Sequence, residues 1–321
     1  MAIEKTDVVI VGVGAAGGIL AAELGKAGMR VIGLERGPRL TTEDFAPHDE
    51  LRFFQRQELR PNVKRQPMTW RPNANARAEP MPVLNYGNQA GGGTVHYGAV
   101  SWRFHEDDFR ARSHTIERYG AAAIPEDSSL ADWPLSYADL EPYYDRAEYE
   151  LGVSGKAGNV QGNKIAGGNV FEAPRRRDYP LPPLRDDQSG IVFRGAAGKL
   201  GYHPFPTPRA ILSQDYDGRL GCTYCGFCQA FGCHVGAKSS ILVTKLPEAD
   251  ATGNFKLVTG AMCYRVNSDN SGRVTGVSYY GPGGSDNTIE ADLVILSPFI
   301  YDNTRLLLLS KTARFPDGLA N

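Results

Sequence analysis

The sequence predicts an α/β fold, and three observations carry that prediction. Residues 7 to 37 read as strand, glycine turn, helix, strand and acid. Residues 86 to 103 form a second glycine-dense segment. From residue 254 the pattern changes to short strands separated by turn residues. The first observation is the most specific. The apolar run Val8 to Val11 enters Gly12-Val13-Gly14-Ala15-Ala16-Gly17, residues 15 to 27 have helical character, and Val31 to Leu34 form a second strand closed by Glu35-Arg36-Gly37. Gly12 permits the tight turn, Gly14 lets the backbone approach a pyrophosphate, and Gly17 lets helix and strand pack closely. The helix N-terminus offers unpaired N–H groups to phosphate, and Glu35 stands where a carboxylate accepts hydrogen bonds from a ribose. With strand, helix and acid all in place, this is the opening of a Rossmann-like dinucleotide-binding domain.

Residues 38 to 82 are polar, with scattered Pro, Arg and Asn, and read as a long excursion or lid. Ser136 caps a helix, with Asp139 at the capping-box position; Leu140, Tyr143, Tyr144, Ala147 and Leu151 recur at helical spacing as its packing face. Residues 152 to 183 form a Gly/Pro/Asn connection, and residues 187 to 200 another helix. Phe255 to Val266, Arg273 to Tyr280 and Thr288 to Leu296 are expected as a three-stranded β-meander, with turns at Asp269 to Gly272 and Gly281 to Gly284. Val294 to Pro298 then returns as a buried strand, followed by a helix from Asn303 to Ser310. The expected division is 1–150 as the first part of the nucleotide-binding domain, 151–220 as linker and part of a substrate or cap region, and 221–321 as a cysteine-bearing loop and return to the first domain.

At 321 residues with a net charge of -1, the chain has the balance of a globular protein rather than a polyanion binder, so no nucleic-acid partner is expected. The triplet Arg175 to Arg177 is too short to argue otherwise and reads as a solvated loop. No stretch reaches the roughly 18 apolar residues of a membrane span. A cleavable signal peptide is not expected either, which places the chain in the cytoplasm, or in the periplasm by co-export with a partner. Four of the five cysteines fall within residues 222 to 233, unlike a secreted disulfide framework. Cys263, alone in a strand, reads as a small buried hydrophobe.

Gly91-Gly92-Gly93-Thr94 is a second place where backbone can approach a ligand. Two such segments suit a cofactor long enough to be touched twice, which favours FAD. At this point the sequence resembles the glucose-methanol-choline (GMC) oxidoreductase family. The resemblance rests on Gly12 to Gly17 with Glu35, on Gly91-Gly92-Gly93-Thr94-Val95-His96-Tyr97-Gly98 with Ser101-Trp102-Arg103, on Trp133 to Tyr137, and on Asn303 to Ser310. It covers nearly the whole chain and is nearest to the branch of gluconate 2-dehydrogenase large subunits and glycoside dehydrogenases. It implies an FAD domain with part of a substrate domain, and oxidation of a CH–OH group of a sugar, sugar acid or glycoside with electrons leaving to an acceptor other than oxygen. The cofactor-binding residues implied are Gly12, Gly14, Ala15, Ala16, Gly17, Glu35, Arg36, Gly91, Gly92, Gly93, Thr94, His96, Tyr97 and Gly98.

In several sugar-oxidising relatives a histidine in the His96 motif is bonded to the flavin, so the resemblance implies covalent FAD through His96. The alternative is a hydrogen-bonding or packing role. Cys222, Cys225, Cys228 and Cys233, spaced C-x2-C-x2-C-x4-C, resemble a cysteine cluster of the same branch. An iron–sulfur cluster of the three-iron type is the favoured occupant; a four-thiolate Zn site and two disulfides stand as alternatives. No catalytic residue is assigned. The family's base lies in a C-terminal motif that His48, His96, His105, His114, His203 and His234 do not match. The chain is therefore expected to be a fragment, or half of a split enzyme completed by a second polypeptide. A non-catalytic FAD-binding electron-transfer subunit is the competing reading. A flavin disulfide reductase is disfavoured, because its cysteine pair would lie beside the flavin-binding strands.

Overall fold

The computed structural model describes residues 4–46, 49–62, 64, 68–73, 75–80 and 86–319, so His48 and parts of the 38–82 segment lie outside it. In chain order the elements are β1 (Glu4–Val11), α1 (Ala15–Lys26), β2 (Val31–Leu34), β3 (Thr69–Trp70), β4 (Glu79–Pro80), α2 (Glu106–Phe109), α3 (Ala111–Tyr119), α4 (Tyr137–Leu151), β5 (Asn159–Val160), β6 (Asn163–Lys164), α5 (Gln188–Lys199), α6 (Lys245–Ala251), β7 (Phe255–Val258), β8 (Met262–Ser268), β9 (Val274–Tyr280), β10 (Asp286–Leu296) and α7 (Ile300–Leu309). Two compact units result, one of residues 1–98 with 225–321, the other of residues 99–224. The divisions thus fall after residues 98 and 224, where the sequence suggested 150 and 220. The reason is α4, whose ionic partners Arg103, Arg175 and Arg177 all lie in the second unit.

The first unit is built on a six-stranded sheet of order β7-β2-β1-β10-β9-β8. β1 pairs in parallel with β2 (Val8 opposite Val31) and with β10 (Val11 opposite Leu296), and β2 in parallel with β7. Val8, Val9 and Ile10 are fully buried, as the near-continuous apolar run of a parallel strand covered on both faces requires. β8, β9 and β10 form the antiparallel meander. The stretch Phe255 to Val266, expected as one strand, is two. Gly260, at φ +65°, turns the chain between β7, which extends the parallel sheet, and β8, which opens the meander.

In the second unit the Ser136 capping box forms, with the Asp139 N–H donating to Ser136 Oγ at 3.3 Å and the Ser136 N–H to Asp139 Oδ2 at 2.8 Å. The expected aromatic packing face forms in part: Leu140 and Tyr144 pack against Tyr137, Phe109 and Ala173, whereas Tyr143 and Ala147 are exposed. Tyr143 is 67% exposed, and the buried positions of α4 are Tyr137, Asp145 and Glu148. Glu148 receives a two-pronged Arg103 guanidinium at 2.8 Å on each oxygen and a further contact from Arg175; Asp145 receives Arg177 at 2.8 and 2.9 Å. Arg175 is therefore no solvated loop residue. It is 1% exposed, and its guanidinium lies 3.7 Å from the centroid of the Tyr179 ring. A buried charge persists only when paired in this way.

Candidate functional site: a nucleotide cradle in the first unit

A cavity of about 270 Å³ opens at the carboxyl ends of β1, β2 and β10, where ligands bind in open α/β sheets. Its floor is the glycine turn. Gly12 has φ +84°, and a Cβ there would lie 2.6 Å from the Pro298 nitrogen; a Cβ on Gly17 would lie 2.1 Å from the Gly12 carbonyl oxygen. Gly17 thus serves helix–strand packing and does not line the cavity, whereas Gly12, Gly14, Ala15 and Ala16 do. Gly14 is the N-cap of α1. No side chain caps that end and no acid lies in its first turn, so its N–H groups and the positive end of its dipole are open to an anion.

Glu35 and Arg36 line the cavity next to the turn. Glu35 is 8% exposed. Its Oε2 accepts the Val13 N–H at 3.1 Å and its Oε1 the Gly37 N–H at 2.9 Å. Burial raises its carboxyl above the usual range, against those two bonds and the nearby Arg36 charge. The remaining oxygen lone pairs can take a diol.

The second glycine segment lies against the first. The Gly91 N–H donates to the Val13 carbonyl at 2.8 Å, and a Cβ on Gly92 would come within 3.0 Å of Gly14 Cα. Gly92 and Gly93 line the cavity; Gly91, at φ +88°, makes the turn that delivers them. Thr94 bonds inside the segment, to the Gly91 carbonyl at 2.5 Å, and accepts the Ile241 N–H at 3.1 Å. His96, Tyr97 and Gly98 follow without lining the cavity. His96 is buried, and its carbonyl accepts the Ala230 N–H at 2.8 Å. The Tyr97 hydroxyl donates to the Ser239 carbonyl at 2.9 Å.

Sequence reasoning missed the rest of the lining, formed by Tyr86, Gly87, Ala261, Met262, Cys263, Ser297, Pro298, Phe299, Asp302, Arg305 and Leu306. Cys263 is buried and its thiol pushed up to about 11 by that burial. The available signal was Ser297-Pro298 at the end of a buried parallel strand, which marks a further carboxyl edge of the sheet.

Among the described residues no disulfide joins the cysteines. Among the described residues no group of three or more His, Cys, Asp or Glu is placed to hold a metal. Within the first unit the loop carrying Cys225, Cys228 and Cys233 closes around Lys238. This ammonium is 2% exposed and donates to the carbonyls of Cys228 (2.6 Å), Phe231 (2.7 Å) and Tyr97 (3.1 Å). Burial lowers it to about 8, opposed by the neighbouring cysteines.

An open-sheet nucleotide site touched by two glycine segments defines a dinucleotide-binding flavoprotein-type unit. The sequence profile of the family described as GMC oxidoreductase matches residues 7–314, and the chain belongs to that family. The gluconate 2-dehydrogenase flavoprotein of Pantoea cypripedii is 36% identical over 324 residues, with 96% of this chain and 53% of the relative covered. The fructose dehydrogenase large subunit of Gluconobacter japonicus is 30% identical over 329 residues, covering 99% and 56%. The chain spans about half the length of the curated relatives it matches. Among solved structures, an FAD-dependent oxidoreductase from Chaetomium thermophilum superposes with a TM-score of 0.57 at 17% identity, over 95% of this chain and 47% of that one. A formate oxidase of Aspergillus oryzae superposes with a TM-score of 0.55 at 16% identity, over 97% and 48%. These two likenesses bear on the fold alone.

The cradle fits FAD. The uncapped α1 N-terminus suits its pyrophosphate, Glu35 its ribose, and the open space above Gly93, where a Cβ would meet nothing within 4 Å, lets backbone approach it.

Proposed function

We propose that this chain is the FAD-binding portion of a dehydrogenase that oxidises a CH–OH group of a sugar, sugar acid or glycoside and passes the electrons to an acceptor other than oxygen. The observation that carries the reading is the cavity, in which the α1 N-terminus, Glu35 and the Gly92-Gly93 backbone converge. The names of the gluconate- and fructose-directed relatives supply the substrate class. When bound, FAD supplies the hydride acceptor. The chain's own residues bind and orient it: the amides of Gly14 to Ala16 hold phosphate, Glu35 fixes the ribose, and the second glycine segment admits the cofactor without Cβ interference. The base that takes the hydroxyl proton is assigned to a second polypeptide or a C-terminal half. Among the described residues no histidine lines the cavity.

His96 is the proposed point of covalent attachment, supported by its place three residues after Gly93. Denatured protein should then carry flavin fluorescence on a gel, and His96→Ala should abolish it. Fluorescence retained in the variant, or absent from the wild type, removes the link. An iron–sulfur cluster at Cys222, Cys225, Cys228 and Cys233 is supported by donor chemistry and spacing. The arrangement among the described residues does not itself form a metal-holding group, so no step is routed through it. Residence in the cytoplasm, or in the periplasm with a co-exported partner, belongs to the same proposal; among the described residues no helix is long and apolar enough to cross a membrane.

The half-length match favours one second reading, a non-catalytic electron-transfer subunit. Anaerobic addition of a sugar or polyol separates the two. Loss of oxidised-flavin absorbance once the second polypeptide is present supports the dehydrogenase. A flavin that substrate never reduces, in the completed assembly, supports the subunit.

A further inference from the structure

The part of the cavity lining that α7 supplies is held by ions. Asp302, in the first turn of α7, is buried, and each of its carboxylate oxygens faces a different arginine. Oδ2 lies 3.5 Å from Arg36 Nη2, and Oδ1 accepts Arg305 Nε at 3.3 Å. Arg36 has two further tethers: its Nε donates to Asn88 Oδ1 at 3.2 Å, and its Nη2 to the Tyr86 hydroxyl at 3.4 Å. Its guanidinium carbon sits 5.6 Å from the Tyr86 ring centroid, and Tyr86 stacks on Phe299 with centroids 5.0 Å apart and planes 14° from parallel. Arg36, Tyr86, Phe299, Asp302 and Arg305 all line the cavity, and Arg36 directly follows the ribose-facing Glu35.

We infer that Asp302 is a positioning residue for the adenosine half of the cofactor and acts through Arg36; this rests on the FAD reading above. Without the carboxylate, two like-charged guanidiniums would share that part of the lining without the anion that pairs with both, and Arg36 would lose its ion pair to α7. The N-terminal turn of α7 in turn favours an anion at residue 302. The bridge therefore joins the end of β2 to α7 and fixes the surface that adenosine meets.

The test uses the full chain, prepared without flavin, with ADP and FMN as separate calorimetric probes and thermal midpoints recorded alongside. Asp302→Asn should weaken ADP binding by about tenfold or more, the loss expected for a charge-assisted contact, with FMN binding unchanged and any fall in the midpoint shared by the flavin-free protein. Asp302→Glu, which keeps the carboxylate, should recover most of the ADP affinity. If Asp302→Asn does not fold, Arg36→Lys, which keeps the charge and loses the fork, should show the same ADP loss. ADP affinity equal to or above wild type in these variants, or Asp302→Glu as weak as Asp302→Asn, overturns the positioning role alone. A wild-type chain that binds neither ADP nor FAD overturns the cofactor reading itself, and this role with it.

Discussion

Gly93→Ala separates what the second glycine segment does for the fold from what it does for the ligand. Gly93 lies in a short 3-10 turn, Gly92–Val95, with a negative φ, and a Cβ built on it meets no heavy atom within 4 Å. The folded chain should accept the methyl. Reduced freedom of the unfolded chain should make the variant slightly more stable, by about 0.4–1 kcal/mol. The same methyl would stand in the space assigned to the cofactor. Forcing a methyl into a filled site costs about 1–3 kcal/mol, so FAD affinity should fall roughly 5- to 150-fold. Thermal unfolding of the flavin-free chain and a fluorescence titration with FAD measure the two effects separately. A variant that loses stability while binding FAD as tightly as wild type would refute the reasoning, because the glycine would then serve packing and not approach.

Gly17→Ala should behave in the opposite way. Its Cβ would lie 2.1 Å from a backbone oxygen and 2.7 Å from Ser297 Oγ, so stability should drop by about 1–3 kcal/mol or more, read as a lower denaturation midpoint of the flavin-free protein. Lys238 gives a pH signature. Its folded-state value of about 8 lies below the ordinary 10.5. The cost of burying the ammonium is therefore full below pH 8 and is relieved as pH rises toward 10.5, where the unfolded state holds more protons. Wild type should gain about 3 kcal/mol over Lys238→Met across that window, and denaturant midpoints of both proteins across the pH range will show whether it does.

Where local chemistry dictates structure, the sequence was legible. The glycine spacing placed the start of α1, and the four apolar residues before Glu35 are β2 as expected. Ser136 and Asp139 marked the start of α4 because a capping box is a contact three residues long. What lay between distant residues was not legible. Helical periodicity suggested an aromatic packing face on α4, of which Leu140 and Tyr144 pack as expected, yet the most buried positions also include Asp145 and Glu148, because Arg103, Arg175 and Arg177 converge on them from elsewhere in the chain. The strand expected from Phe255 to Val266 broke at Gly260, whose positive φ competes with the β period around it. The Gly12, Gly92 and Glu35 part of the cavity could be read from motifs. The Tyr86, Phe299, Asp302 and Arg305 part could not, since only the parallel pairing of β1 with β10 brings α7 to the glycine turn. For the cysteines, spacing supplies candidate ligands but not their convergence.

The central claim is that the cradle holds FAD. Purifying the chain, releasing its cofactor with acid or protease, and identifying it by chromatography and mass tests this most directly. The account predicts one FAD, or one flavinylated peptide containing His96, per chain. A folded, colourless chain that takes up NAD and no FAD would contradict it.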